Sequence, residues 1–285
     1  MRENIWIVGC QGLVGREMVK FLQKKGISCI GSTKDEADVT DLPALKQFFK
    51  QHQATHIINC SANVHVDLAE KQERSLAFNV NVTGVENLAH LAKEQGVRLV
   101  HIGTDYVFDG KKKSDYSEND PVGPVNYYGE TKLLGEQRML SIYPNAVCVR
   151  TASLYGKERP GLVSHILNDL ETKEEVMAIE NQISTPTYVP HLVKALWDVR
   201  NERGIFHFVN GGHASRLDLA KEVMAIAKAS GRKIKCKRLI GVKDEDSGRI
   251  ARRPHRSVLA TSKIEPYLSE PIVSWQGALR EYLTQ

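Results

Sequence analysis

Cysteine is scarce in this 285-residue chain, and the five present, at positions 10, 29, 60, 148 and 236, form no Cys-x-x-Cys pair. That excludes a dense disulfide framework and a cysteine zinc site. Cys29, Cys60 and Cys148 lie inside apolar runs, where a thiol serves as a small hydrophobe. Long apolar runs are missing too. The first, Ile5 to Val8, is far shorter than a signal-peptide core, and no stretch approaches the roughly 20 residues a membrane span needs. A cytoplasmic protein without a membrane partner is expected. There is no His-Glu-x-x-His run, and His52 and His56 straddle a helix end and a strand, so neither reads as a metal ligand. Internal repeats and low-complexity segments are absent. The formal charge of +5 is too small to argue for nucleic acid, though it suits a small anionic substrate.

What is present is an ordinary globular balance, 41% hydrophobic and 26% charged, long enough for one large domain or two closely joined ones. Short β-rich runs at Ile5–Val8, Ser28–Gly31, His56–Cys60, Arg98–Ile102 and Ala146–Arg150 alternate with helical spacing at Leu13–Lys25, Leu42–Gln51, Leu76–Gln95 and Tyr128–Ile142. That alternation predicts a doubly wound α/β fold of Rossmann type, with a parallel sheet between two helical layers. The second half is less regular. Val176–Glu180 and Gly204–Asn210 read as strands, and Val189–Arg200, Leu217–Ala229 and Trp275–Leu283 as helices. Asp244–Arg256 is rich in charge and reads as a loop. No linker separates the halves, so a second domain would be assembled from insertions and the C-terminal third.

The first strand runs into Gly9-Cys10-Gln11-Gly12-Leu13-Val14-Gly15. A glycine turn opening a helix lets the backbone approach a pyrophosphate, which then meets free N–H groups and the favourable end of the helix dipole. The last glycine lets the helix pack close to the strand. The bland alternative is a turn that needs glycine for its backbone alone. Gly9, Gln11, Gly12, Leu13 and Val14 are therefore candidate cofactor contacts. The second strand leads into Gly31-Ser32-Thr33-Lys34, where a basic residue favours a 2′-phosphate and so NADPH over NADH. A solvated turn lysine is the competing reading, and Asp35 and Glu36 follow at once. Asp38 and Val39 are placed to flank the adenine.

Tyr128-Gly129-Glu130-Thr131-Lys132 puts a phenol and an amine four residues apart, on one helix face. An ammonium beside a phenol favours the phenolate, which makes Tyr128 a proton donor to a carbonyl oxygen as hydride reaches carbon. Tyr127 has the wrong offset. Such pairs are common on helix surfaces, so support must come from elsewhere. Thr104 supplies it, at the C-terminal edge of the Arg98–Ile102 strand, where open α/β sheets bind ligands. A threonine capping the strand end is the plainer reading.

Together, Gly9–Gly15, Thr104-Asp105-Tyr106-Val107-Phe108-Asp109-Gly110 and Tyr128–Lys132 resemble the extended short-chain dehydrogenase/reductase superfamily, and more narrowly its dTDP-4-dehydrorhamnose reductase family. Asn59–Ala62, Val66–Glu70, Asn79–Gly84, Thr185–Tyr188, Arg252-Arg253-Pro254 and Trp275 extend the resemblance over nearly the whole chain. It implies a catalytic Thr104, Tyr128 and Lys132, with Lys132 also holding the nicotinamide ribose. It implies that Cys60, Ser61, Ala62 and Asn63 pass beside the cofactor, that Asn81 supports it, and that Asp105 faces the sugar. Residues 1–151 with about 175–203 would form the dinucleotide-binding domain, and about 152–174 with 204–285 the smaller sugar-nucleotide domain. The implied reaction reduces the C4 ketone of a dTDP-linked 6-deoxysugar to dTDP-L-rhamnose with NADPH, and often NADH, a step of polysaccharide precursor synthesis.

Two positions depart from the family pattern. Ser153 stands where an aromatic residue usually touches the substrate, and Ser215-Arg216 replaces a usual Ser-Trp pair. Losing an aromatic wall reshapes a sugar pocket. A different nucleotide-sugar ketoreductase, or an epimerase, therefore stays open. So does a binding subunit of the kind that regulates methionine adenosyltransferase, which resembles the same family. Some members use Mg2+ at a dimer interface, but no matching glutamates are found, so metal and a homodimer stay open. Four arginines between Gly248 and Arg256 are read as a clamp for the substrate diphosphate, with Arg253 the candidate contact, against a solvated loop or a nucleic-acid patch. Lys111–Lys113 reads as a solvated loop tip.

Overall fold

The computed structural model describes residues 3–284. In chain order the first half runs β1 (Asn4–Val8), α1 (Leu13–Lys24), β2 (Ser28–Ser32), α2 (Leu42–His52), β3 (His56–Asn59), α3 (Val66–Ala69), α4 (Arg74–Phe78), α5 (Gly84–Gln95), β4 (Arg98–Ile102), α6 (Tyr127–Ile142) and β5 (Val147–Arg150). The second half continues with β6 (Leu154–Tyr155), α7 (Leu162–Thr172), β7 (Glu175–Ile179), β8 (Ile183–Ser184), β9 (Thr187–Tyr188) and α8 (Val189–Asp198). It ends with β10 (Gly204–His207), β11 (Ala214–Ser215), α9 (Arg216–Ala229), β12 (Arg238–Val242) and α10 (Trp275–Thr284).

Six strands form one parallel sheet in the order β10-β5-β4-β3-β1-β2. The order turns back between β1 and β3, the switch point beside which open α/β sheets hold ligands. Strand alternation fixes the two layers. Ile5 and Ile7 of β1 face Met18 and Leu22 of α1 and Leu192 and Leu196 of α8. Trp6 and Val8 face Leu45 and Phe48 of α2, Leu88 and Leu91 of α5 and Met139 of α6. Both faces are covered, which is why these strands are apolar nearly throughout. The helices start where their sequences dictate. Asp41 Oδ1 accepts from Ala44 N (3.0 Å) to cap α2, and Asn126 Oδ1 accepts from Gly129 N (2.8 Å) to cap α6.

The expected helix over Leu76–Gln95 is in fact two helices joined by a π turn, Asn79–Thr83. The wider turn sits where α6 comes closest. A Cβ on Gly135 would collide with the carbonyl oxygen of Asn81. Spacing of apolar residues cannot reveal one extra residue in a turn, and such bulges recur at functional sites.

A smaller layer packs α7, α9 and α10 around Val163, Leu170, Val176, Leu219, Val223, Trp275 and Leu279. Two strands fall on the opposite side of the expected division. β7 pairs in parallel with β12 of the smaller layer, and β10 is the edge strand of the main sheet beside β5. Apolar alternation locates a strand, but its partner is set by long-range packing: Val176 is buried in the small core and Phe206 in the large one. α7 and β12 have no counterpart in the sequence reading. No helix among the described residues is long and apolar enough to cross a membrane.

Candidate active site

The glycine turn follows β1 directly. Gly9 has φ +74°, and a Cβ there would sit 3.0 Å from the backbone of Ser61. A Cβ on Gly15 would strike the Gly9 carbonyl, so α1 can lie against the turn only with glycine there. Gly12, the residue before α1, gives the helix no side-chain cap. Its first-turn N–H groups at Leu13 and Val14, beside Gly12, are thus offered to an anion rather than to the protein's own oxygens. Gln11 lies exposed at the tip, its carbonyl accepting from Arg16 Nε (3.0 Å). These features fit a dinucleotide pyrophosphate.

At the end of β2, Ser32 is buried and its hydroxyl accepts from Trp6 Nε1 (2.8 Å). No acidic side chain ends this strand. The Lys34 side chain is 76% exposed and reaches only to Asp38, at 3.9 Å. Asp38 Oδ1 accepts from Thr40 N (2.9 Å), and Val39 is buried with its carbonyl held by Asn87 Nδ2 (2.9 Å).

The π turn aims Asn81 at the loop after β3. Asn81 Oδ1 accepts from Asn63 N (2.9 Å), while its Nδ2 donates to Asn63 O (3.0 Å) and to Thr131 Oγ1 of α6 (3.1 Å). One buried amide thus ties the Cys60-Ser61-Ala62-Asn63 loop to the helix that carries Tyr128 and Lys132. Burial pushes the Cys60 thiol up to about 12, and the neighbouring Cys10 adds to that, so Cys60 stays an uncharged thiol.

Tyr128 and Lys132 lie on α6 with Thr104 facing them from the end of β4. Tyr106 packs edge-on against Tyr128, with ring centroids 5.8 Å apart. Tyr127 turns away, with the Arg74 guanidinium 3.5 Å over its ring, which leaves Tyr128 as the phenol at the cleft. Desolvation pushes the Tyr128 phenol well above its ordinary value, and a hydrogen bond with Thr104 opposes this. Lys132 is not among the groups that shift it. The reason is geometric: Lys132 Nζ points inward, 2.7 Å from Ile102 O and 3.1 Å from His101 Nε2. Burial lowers the Lys132 amine to about 8, with Cys148 and Glu136 pulling the other way.

His101 has no role in the sequence analysis. It is buried on β4, between Lys132 and Asn59, whose Nδ2 lies 3.1 Å from His101 Nδ1. Asn59 Oδ1 is occupied by Ser61 N (3.0 Å) and Ser61 Oγ (2.6 Å). Burial, then the Lys132 charge, hold His101 well below its ordinary value, so it is a neutral hydrogen-bonding spacer. The signal lay in β4's alternation, which turns His101 toward α6, but a lone histidine in an apolar run reads more readily as core.

On the far side of the cleft, Asp105 is buried, accepting from Ser257 Oγ (2.5 Å) and from Thr104 Oγ1 (3.2 Å). Desolvation raises its carboxyl to about 6 against those bonds. Ser153 has φ +47° and pairs its hydroxyl with Ser184 Oγ at 2.6 Å. Arg253 is differently placed from the expectation of an open clamp. Its fork closes on Asp67, Nη1 to Oδ1 at 2.8 Å and Nη2 to Oδ2 at 2.6 Å, and fastens the 248–256 loop to α3. That bond holds the Asp67 carboxyl far below its usual range. Among the described residues no group of three or more His, Cys, Asp or Glu could hold a metal ion.

A glycine turn between β1 and α1, and a tyrosine on α6 paired with Thr104, are the elements of a nicotinamide-dependent oxidoreductase of the extended short-chain class. The chain belongs to the family described as the RmlD substrate binding domain, whose model matches residues 2–285. A dTDP-4-dehydrorhamnose reductase of Mycolicibacterium smegmatis is 34% identical over 99% of this chain and 85% of its own. The spore coat polysaccharide biosynthesis protein SpsK of Bacillus subtilis is 32% identical over 99% of this chain and 97% of its own. Among solved structures, a Bacillus anthracis dTDP-4-dehydrorhamnose reductase in complex with NADP superposes with TM-score 0.93, at 29% identity, covering 100% of this chain and 99% of that one. A Thermus thermophilus UDP-glucose 4-epimerase with NAD shares the fold at TM-score 0.82 and 20% identity.

Proposed function

We propose that this protein reduces the C4 ketone of a dTDP-linked 6-deoxy-4-ketohexose, dTDP-4-dehydrorhamnose being the leading substrate, with NADPH as reductant. The observation that supports the proposal is the pairing of Tyr128 with Thr104, on the helix that Asn81 ties to the Cys60–Asn63 loop beside the glycine turn. The nicotinamide cofactor, when bound, supplies the hydride. Gly9–Val14 would receive its pyrophosphate, Asp38 and Val39 the adenine edge, and the Cys60–Asn63 loop, held by Asn81, the nicotinamide side. Thr104 and Tyr128 hydroxyls orient the ketone oxygen, and Tyr128 donates the proton that balances hydride arrival. Lys132, anchored on Ile102 O and His101, would hold the nicotinamide ribose. Asp105 faces the sugar hydroxyls, with Ser153 at the same wall. The pathway is polysaccharide precursor synthesis, and we place it in the cytoplasm.

The test is absorbance at the nicotinamide band, with the ketosugar generated in place. Stoichiometric NADPH oxidation is the expected result. Interconversion of sugars with no net oxidation would overturn the proposal in favour of an epimerase, and cofactor binding without either reaction would favour a binding subunit.

The exposed Lys34 ammonium, two residues past β2 and 3.9 Å from Asp38, supports NADPH over NADH. Lys34→Ala is expected to raise KM for NADPH by about 2- to 10-fold, the range of a partly exposed charge-assisted contact, and leave KM for NADH within error. An equal effect on both cofactors would deny Lys34 a 2′-phosphate role.

Lys132 sets the alkaline limb. Its charged form helps the reaction, and its pKa of about 8 means that charge is present below pH 8 and lost above it. The plot of kcat/KM against pH should therefore fall as pH rises through about 8. Lys132→Arg, whose charge persists, should move that fall to higher pH. A profile flat to pH 10 in the wild-type protein would contradict the assignment.

A further inference from the structure

The substrate side of the cleft holds three arginines, and their partners differ. Arg253 is spent on Asp67. Arg249 Nη1 donates to Asp244 Oδ1 (3.1 Å) and Gln182 Oε1 (3.2 Å). Arg216 is the exception: its Nη1 is closed off from solvent and has no acceptor. Among the described residues no carboxylate forms an ion pair with it, and Asp105 nearby already takes hydrogens from Ser257 and Thr104.

An orphan donor on a buried guanidinium is rare enough to need a cause. A guanidinium has five N–H donors and no acceptor, so only an oxygen lone pair can satisfy it. Burial lowers the Arg216 pKa; Arg249 and Arg253 add to the lowering, while Tyr106 and Asp105 oppose it. Asp244 and Asp67 bind the other two arginines, while Arg216 has only the nearby Asp105 charge, with no ion pair among the described residues, and keeps an unpartnered Nη1. An anionic oxygen entering there would satisfy the donor and balance the charge together.

Local structure aims it. Ser215, the cap of α9, holds a reciprocal capping box with Asp218, so Arg216 starts the helix in a fixed frame. β11 pairs with β8, Ser215 opposite Ile183, which sets Arg216 beside Gln182. Gln182 Nε2 in turn reaches Tyr106 OH at 3.4 Å, and Tyr106 packs on Tyr128. Two side chains, Gln182 and Tyr106, thus link Arg216 to the phenol that meets the ketone. A diphosphate on C1 of a hexose whose C4 lies at Tyr128 falls a ring's width away.

We propose that Arg216 is the guanidinium that grips the substrate diphosphate, the role the sequence suggests for Arg253, and that Arg253 is a positioning residue which fastens the 248–256 loop to α3. This rests on the nucleotide-sugar reading above. Phosphate oxygens match a guanidinium fork better than a neutral sugar hydroxyl does.

The experiment is calorimetric binding of dTDP and thymidine to the NADP-loaded wild-type protein and to Arg216→Gln and Arg216→Lys, with NADPH fluorescence checking the fold. Arg216→Gln should weaken dTDP by about 10- to 150-fold, as about 1.5–3 kcal/mol converts at 1.4 kcal/mol per tenfold. Thymidine and NADPH binding should not change, and Arg216→Lys should recover part of the loss. Arg216→Gln binding dTDP within twofold of wild type, while still binding NADPH, overturns the proposal. An equal loss of dTDP and thymidine binding also overturns it, by moving the contact from the diphosphate to the nucleoside. Failure of the wild-type protein to oxidise NADPH, with dTDP binding still dependent on Arg216, would sink the reductase reading and leave this assignment standing.

Discussion

Tyr128→Phe lowers kcat with the ketosugar by about 10²- to 10⁴-fold, the span a positioned general acid contributes. The phenol is the group nearest the cleft on α6, it meets Thr104, and desolvation keeps it protonated at neutral pH. Phenylalanine keeps the ring and its edge contact with Tyr106 but has no proton to give. NADPH affinity, read by fluorescence quenching, stays within about twofold, because the cradle at Gly9–Gly15 and the Asn81 clamp are untouched. A Tyr128→Phe enzyme retaining more than a tenth of wild-type kcat would mean that another group supplies the proton.

The second large effect is on stability. Glu136 lies one turn after Lys132 on α6 and receives Arg150 from β5, Nε to Oε2 at 2.9 Å and Nη2 to Oε1 at 2.5 Å, with both side chains 2% exposed. Burial works against the Arg150 charge, but the two bonds from Glu136 outweigh it and raise its pKa above the ordinary value. Glu136→Ala strands that guanidinium. The neighbouring His207, which burial and Arg150 hold down at about 3, cannot replace the lost acceptor with a negative charge. Breaking a buried pair costs about 3–5 kcal/mol, and for a chain of this size the thermal midpoint falls by roughly 6–15 °C. Replacing both partners, as Glu136→Leu with Arg150→Met, recovers much of the loss, because two buried charges are then removed together. Calorimetry on the single and double variants decides: a single variant within 1 °C of wild type would show that water reaches Arg150. The pair also seats α6 on the sheet beneath Lys132, so the single variant loses activity below its melting point as well.

Much of the dinucleotide half was legible in the sequence, because local chemistry dictates it. Gly9 and Gly15 are required by a positive φ and by a backbone contact no Cβ allows, and both follow from a strand that must turn into a helix. Tyr128 and Lys132 share a face by helical geometry alone. The apolar runs of β1 and β3 to β5 marked a sheet covered on both sides. His101, Asn59 and Glu136 were not legible. Each acquires its meaning from a partner at least 12 residues away, and each residue type has a commoner bland explanation.

The sequence by itself determined the layering, through periodicity, and the class of reaction, through the motifs Gly9–Gly15, Thr104–Gly110 and Tyr128–Lys132 that carry the family resemblance. Tertiary structure alone decided which arginine keeps an unpartnered donor. Arg253 and Arg216 have the same charge and both end up at the cleft, and only the approach of α3 to the 248–256 loop closes one guanidinium on Asp67. It also decided where Lys132 points, because the choice between Tyr128 and the Ile102 carbonyl depends on how closely α6 sits on β4. Pairings between distant segments carry no local pattern, so their outcome is fixed only when the whole chain has packed.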